Sequence, residues 1–465
     1  MDKNYYLPDE KPLIEFPGIM LILVVLMSIG FALAVIFLPP IFVFLIFIAV
    51  VIGIAIIVNP FVAIPIFIIG GYLHPVAFVS GIARFHPTTI FAAGVLFALL
   101  FHIVIYRDFK PVKGKQTVTM FLFFIAITIS CFYHWEYSSP ALIDFIKIIV
   151  LYFIVIYLVD SKSRVTVLIS ILIPLGIIVA LYAFYLAAAG VGRGHIEGAM
   201  RIISFEGNPN YLALSLVMLI PILFGLSTSQ SSKIAKTFYI FIIGLFSVVV
   251  LLTYSRSGFL GLVVALSLSA IKFFTRRNII IIALLFLSLI MLFVLIAPPQ
   301  IYYRLETIFD LKEASIVGRL DVYRIAFMLT MKNPLVGVGM GVYSFQIEYF
   351  NIAITRPDIT NKVMEWAHNV FLEIGSKAGA VALLFFILSL YYAMRDVKMS
   401  QKIFIRTNDN YLLNISRGVE ISILSYLVFA MFATSLTLKL FWVLLGLTYS
   451  LHSIARASLG EKNDE

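Results

Sequence analysis

"EWAHNVFLEIGSKAGAVALLFFILSLYYA", residues 365–393, leaves a polar loop and enters an apolar run with no Asp, Glu, Lys or Arg between 378 and 394. A helix lying on a globular core shows a polar face to water, so an uninterrupted run of this length belongs in hydrocarbon. The rest of the 465-residue chain agrees: 62% of it is hydrophobic, 12% is charged, and its mean hydropathy is +1.05. A soluble globular domain is excluded, and an integral membrane protein is implied.

Working outward from this stretch, further apolar segments lie at about 18–38, 40–58, 60–71, 89–106, 117–133, 142–159, 165–189, 210–227, 236–253, 257–274, 278–296, 418–436 and 438–455, with the opening stretch itself counted as 367–393. The segment at 60–71 is too short to cross upright, so the expectation is an all-α polytopic bundle of about 12–14 transmembrane helices. Short loops join most of them. The whole chain, 1–465, therefore reads as a single membrane domain. Two longer segments, 190–209 and 297–366, break the pattern, and an insertion of the second kind in a tightly looped bundle is usually functional. Within it, Leu320, Tyr323 and Phe327 recur at helical spacing before Asn333-Pro334. This predicts an amphipathic helix on the outer leaflet, and a helical extracytoplasmic loop before the last three spans.

Lys and Arg crowd the loops that are cytoplasmic if the N-terminus is inside, such as Arg107 to Lys115 and Lys272 to Arg277. Both termini are therefore expected in the cytoplasm, with 190–209 and 297–366 on the periplasmic side. The segment after Gly18 lacks a small-residue cleavage site and reads as the first span. The net charge of +10 follows from this loop bias and from anionic headgroups; no basic segment interleaved with aromatics offers a nucleic-acid surface. The single cysteine, Cys131, excludes an internal disulfide. His74, His86, His134 and His195 have no ligand-like spacing, so no metal and no cofactor is expected. The glycines of "PLVGVGMGVYSF" (334–345) lack a βαβ context and read as tight turns near a ligand or headgroup.

The charges that need explaining sit at outer span ends. Arg256, in "TYSRSGFLG" (253–261), falls between two spans joined by almost no loop, where a cation is costly without an anionic partner. Arg201 precedes Asn208 and Asn210, either of which is placed to cap the following helix and turn its positive end outward; pairing with Glu206 is the alternative. Arg319 lies in the long loop. Planar guanidinium groups suit phosphate oxygens, so arginines converging above a membrane cavity point to a lipid-linked phosphate or diphosphate. His368 opens the twelfth span as a group able to take a proton at neutral pH, with Glu365 three residues earlier to orient it. Glu373 and Lys377, four residues apart, read as a structural pair, as do Asp144 and Lys147.

Taken together, "SRSGFLGL" (255–262), "GRLDVYRIAFMLTMKNPLVGVGMGVY" (318–343) and "AHNVFLEIGSKAGAVALL" (367–384) resemble the bacterial O-antigen ligases and O-antigen polymerases, over about 200–390. His368, Asn369 and Gly379 fit the ligase pattern of histidine, Asn/Ser/Gln, nine residues and glycine. Ala382 stands where that pattern has Gly, Thr or Tyr. The resemblance implies a metal-independent, inverting glycosyltransferase of the bacterial inner membrane that moves a glycan from undecaprenyl diphosphate to an acceptor hydroxyl at the periplasmic face. Arg201, Arg256, Arg319 and Asn210 would bind the diphosphate, Arg256 and Arg319 acting also in catalysis. His368 would be the base, supported by Glu365 and Asn369. A lipid A core acceptor makes it a ligase; a second lipid-linked repeat makes it an O-antigen or exopolysaccharide polymerase. A polysaccharide-lipid transporter or flippase is the competing class, which would place ionisable groups near the bilayer midplane.

Overall fold

The computed structural model describes residues 40–73, 87–106, 112–192, 195–196, 199–205, 207–274, 314–359 and 366–463. The expected spans at 18–38 and 278–296, together with Glu206 and Glu365, lie outside the described residues. The described chain is built of helices, apart from a two-residue antiparallel ladder, β1 (His195–Ile196) with β2 (Ala199–Met200).

Two compact units are distinguished, residues 1–67 with 82–111, and residues 68–81 with 112–465. In the first, α1 (Pro40–Val58) is followed by a single 3₁₀ turn, Pro60–Val62, which Asn59 caps through its side-chain oxygen. α2 (Ala63–Leu73) starts in this unit and ends in the other. α3 (Pro87–Tyr106) packs on α1, and His102 Nδ1 lies 2.9 Å from the Ile57 carbonyl oxygen.

The second unit holds α4 (Lys115–Tyr133), α5 (Trp135–Leu158), α6 (Lys162–Ala188), α7 (Pro209–Ser229), α8 (Lys233–Leu252), α9 (Arg256–Phe273), α10 (Ala314–Lys332), α11 (Val342–Ala353), α12 (Val370–Thr407), α13 (Asn410–Ala430) and α14 (Lys439–Asn463). Eight of these, α4 to α9 with α12 and α13, are long and apolar enough to cross a membrane. α7 is the centre of one half. Every residue from Leu212 to Ser227 is buried, because α7 is apolar all round and α6, α8, α9 and α13 pack against it. Hydroxyl and amide groups tie α13 to it: Ser422 donates to the Met218 carbonyl at 2.5 Å, and Asn414 to Ser229 Oγ at 3.1 Å. Phe123, Phe386, Phe441 and Trp442 make an aromatic core among α4, α12 and α14. One buried carboxylate, Glu420 on α13, is compensated by Lys272 of α9 at 2.9 Å and Gln401 of α12 at 2.8 Å.

α12 is broken rather than continuous. Gly379 adopts φ 92° and ψ 166° in its interior, so a short segment from Val370 is followed by a long one ending at Thr407. The loop after α10 threads into the break. Val338 N donates to the Ser376 carbonyl and Gly339 N to that of Lys377, both at 2.9 Å, while Ala380 N donates to the Pro334 carbonyl at 2.7 Å. The backbone groups that the break frees are thus satisfied by another stretch of chain. Gly337, at φ 63°, allows this contact: a Cβ there would stand 2.3 Å from the Lys377 carbonyl carbon. The glycines of 334–345 therefore admit α12 and the α4–α5 corner, where the sequence predicted proximity to a ligand or headgroup.

α10 is a helix where the spacing predicts one. Leu320 and Phe327 are exposed, at 46% and 56%, Tyr323 is half-buried with its hydroxyl on the His368 carbonyl, and the packed face is Val322, Ile325, Ala326 and Leu329. The helix has apolar residues on two sides, one docked on α12 and α11.

Candidate active site

Arg201 follows the β1–β2 ladder and is fixed at both sides of its guanidinium. Nε donates to the Thr253 carbonyl at 2.9 Å, and Nη2 to Asn210 Oδ1 at 3.0 Å. The sequence left open which asparagine caps α7; it is Asn208, whose Oδ1 accepts from Asn210 N at 2.9 Å. Asn210 is thereby released to hold Arg201.

Thr253 ends α8, and the chain reverses into α9 within two residues. Tyr254 takes a left-handed φ of 50°, Ser255 caps α9 by accepting from Gly258 N at 3.1 Å, and Arg256 is the first helical residue. The run Thr-Tyr-Ser-Arg-Ser-Gly is a helix stop and a helix start in six residues, and it carries Arg256 to the positive end of α9. Arg201 bonds the carbonyl three residues before Arg256, so the two arginines share one corner.

His368 and Asn369 form the other group. His368 adopts φ 49°, a left-handed conformation that is uncommon outside glycine. Asn369 caps α12, its Oδ1 accepting from Phe371 N and Leu372 N at 2.9 and 3.1 Å. From α10, the Tyr323 hydroxyl lies 3.3 Å from the His368 carbonyl oxygen and 3.0 Å from that of Met431. Burial holds the His368 imidazole below its usual pKa, the Arg319 charge lowers it further, and the Glu373 carboxylate opposes both. The ring is therefore neutral at pH 7 and able to accept a proton. Burial also raises the Tyr323 phenol, with Arg319 opposing, so it serves as a hydrogen-bond donor. Arg319, Tyr323, His368 and Asn369 thus stand together at the junction of α10 and α12.

The turn between α13 and α14, 431–438, touches both groups. Its Met431 carbonyl receives Tyr323 and also Asn369 Nδ2 at 3.1 Å, while Thr437 Oγ1 is 3.1 Å from the hydroxyl of Tyr211, the neighbour of Asn210. Tyr323, Tyr211 and this turn were not foreseen as parts of the site. Tyr323 had a helical-period signal that pointed to lipid, and a turn engaged through a backbone carbonyl has no residue-type signal. Among the described residues, no group of three or more His, Cys, Asp or Glu side chains is arranged to hold a metal ion. Glu373 and Lys377 pair at 2.9 Å with side chains 5% and 1% exposed, and Asp144 and Lys147 pair at 2.8 Å, as their spacings predicted.

No curated protein matches the chain. The O-Antigen ligase family model matches residues 240–387. This span contains Arg256, Arg319, His368 and Asn369, together with the Gly379 break, and leaves Arg201, Asn210 and the 431–438 turn outside it. Over residues 240–387 this multi-pass membrane protein is thus similar to the O-antigen ligase family.

Proposed function

We propose that this protein transfers a glycan from undecaprenyl diphosphate to an acceptor hydroxyl at the periplasmic face of the bacterial inner membrane, with both termini cytoplasmic and residues 190–209 and 297–366 on the periplasmic side. The observation that carries the reading is His368, a histidine kept neutral by burial and by Arg319 at the mouth of a membrane helix, within the segment that matches the O-Antigen ligase family. A base beside a cation is what a hydroxyl nucleophile and an anionic leaving group require together.

In this scheme Arg201 and Arg256 at the α8–α9 corner, with Arg319 from α10, bind the diphosphate. The acceptor oxygen attacks the anomeric carbon and gives its proton to a ring nitrogen of His368. The bond from that carbon to the diphosphate oxygen breaks, and its electron pair leaves as negative charge that the guanidinium groups stabilise. Displacement of this kind inverts the anomeric centre. The fixed cations perform the task a divalent metal would otherwise perform, so transfer is expected to persist in EDTA.

A lipid A core acceptor, as in a ligase, is the first reading, and a lipid-linked repeat, as in a polymerase, the second. Ala382, which departs from the ligase pattern, is fully buried in α12, so it does not itself read the acceptor. The test is reconstitution of purified protein with a lipid-linked oligosaccharide and either acceptor, comparing wild type with Arg256→Ala, Arg319→Ala and His368→Ala. Transfer by wild type alone supports the scheme. Equal transfer by all four proteins, or transfer only with added divalent metal, refutes it.

A further inference from the structure

We propose that Glu373, paired with Lys377, is a positioning residue for His368, its carboxylate stabilising the imidazolium formed when His368 takes the acceptor proton. The proposal deepens the transferase reading and rests on it.

Glu373 is fixed relative to the base by the backbone. Its N–H donates to the Asn369 carbonyl at 2.8 Å, so it follows the His368-Asn369 cap at the first complete turn of α12. The two oxygens of its carboxylate are used unequally. Oε1 receives the Lys377 ammonium at 2.9 Å, whereas Oε2 is buried and accepts no hydrogen bond among the described residues. A buried acceptor without a donor is costly, and a positive charge developing on His368 would offset part of that cost. Lys377 is satisfied on its other side by rings: its ammonium stands 4.5 Å from the Trp366 centroid and 5.6 Å from that of Phe345. Trp366 lies two residues before His368, so the ion pair sits against the cap segment, with Glu373 the nearer of its two members along the chain.

Among the described residues, the charged and titratable groups around His368 come from three elements. α10 supplies Arg319, which disfavours the protonated ring, and the neutral Tyr323 hydroxyl on the His368 carbonyl. α12 supplies Glu373, which favours the protonated ring, and Lys377 one turn beyond it. The 431–438 turn contributes the Met431 carbonyl and has no titratable side chain. Arg319 is positioned for the diphosphate yet penalises the imidazolium; Glu373 offsets that penalty when the proton arrives.

The experiment is a pH–rate profile of glycan transfer by the full-length protein, with a parallel NMR titration of the histidine imidazoles assigned by His368→Asn. Glu373→Gln, Glu373→Asp and the neutral pair Glu373→Gln/Lys377→Gln are compared with wild type; the neutral pair avoids a lone buried charge that would impair folding. Removing Glu373 lowers the proton affinity of His368, so the acidic limb and the NMR titration both move to lower pH. The plateau rate falls about fivefold, because a weaker base transfers the proton less well. Glu373→Asp restores the limb. If the neutral pair keeps the wild-type limb and titration while its rate falls, Glu373 is merely structural and the proposal is overturned. If wild type transfers nothing from any lipid-linked donor, the transferase reading fails first and takes the proposal with it.

Discussion

Replacing Gly379 with alanine would press a methyl group into the place where the 333–339 loop enters α12. Two costs add. At φ 92° and ψ 166° the backbone lies in a region open essentially to glycine alone, worth about 1–3 kcal/mol against any side chain. The new Cβ would stand 2.7 Å from the Leu335 carbonyl carbon and the Pro334 oxygen. These are backbone atoms, and Pro334 is held by the bond from Ala380 N, so relief requires losing that bond, about 1 kcal/mol more. The sum, about 2–4 kcal/mol, predicts a clearly lower thermal midpoint for Gly379→Ala in detergent, with transfer impaired because the short segment of α12 carries the cap at His368. Gly244 on α8, where a Cβ meets nothing within 4 Å, is the control: alanine there should match wild type or gain up to about 1 kcal/mol. A Gly379→Ala protein that melts with wild type would refute the account of the break.

Arg201→Ala should cut transfer more than tenfold while Arg201→Lys fails to restore it, since the two bonds to Thr253 and Asn210 need a fork about 1.5–3 kcal/mol in worth; full rescue by lysine in a transfer assay would count against this. Tyr323→Phe removes the hydroxyl that bridges the His368 and Met431 carbonyls and should cost about 1 kcal/mol of stability with a several-fold loss of rate; unchanged kinetics and melting would contradict it. Arg319→Gln should raise the proton affinity of His368, because Arg319 lowers it, so the ring titrates at higher pH in NMR, opposite in sign to Glu373→Gln. An unchanged titration would show that burial, not Arg319, sets the value, and a downward move would refute the assignment.

Hydropathy made the membrane helices legible because lipid imposes one solvent on a whole segment, yet their ends were read short wherever polar turns continue a helix beyond the bilayer. α12 runs to Thr407 rather than 393, and α13 starts at Asn410 rather than 418. The Gly379 break was invisible, since its cause is a loop some forty residues earlier in the chain that supplies the missing hydrogen bonds. Arg256, Arg319 and His368 stand out in the sequence because a charge at a span end is expensive and so conspicuous. The bridging role of Tyr323 was not legible, because an amphipathic phenol fits a lipid-facing stripe and a half-buried bridge equally well. The 431–438 turn contributes mainly a carbonyl, which every residue possesses.

The insertion of 333–339 into α12 has a consequence for biogenesis. Residues 333–339 leave the ribosome before α12 exists, and their N–H groups at Val338 and Gly339 have their partners on a helix still to be synthesised. The described stretch from α10 to α11 is therefore made ahead of its template and acquires these bonds only once α12 has followed it. Final seating of α10 and α11, and with them Arg319 and Tyr323, is a late event of synthesis, so a chain truncated before Ser376 would insert its earlier helices and still lack an assembled candidate site.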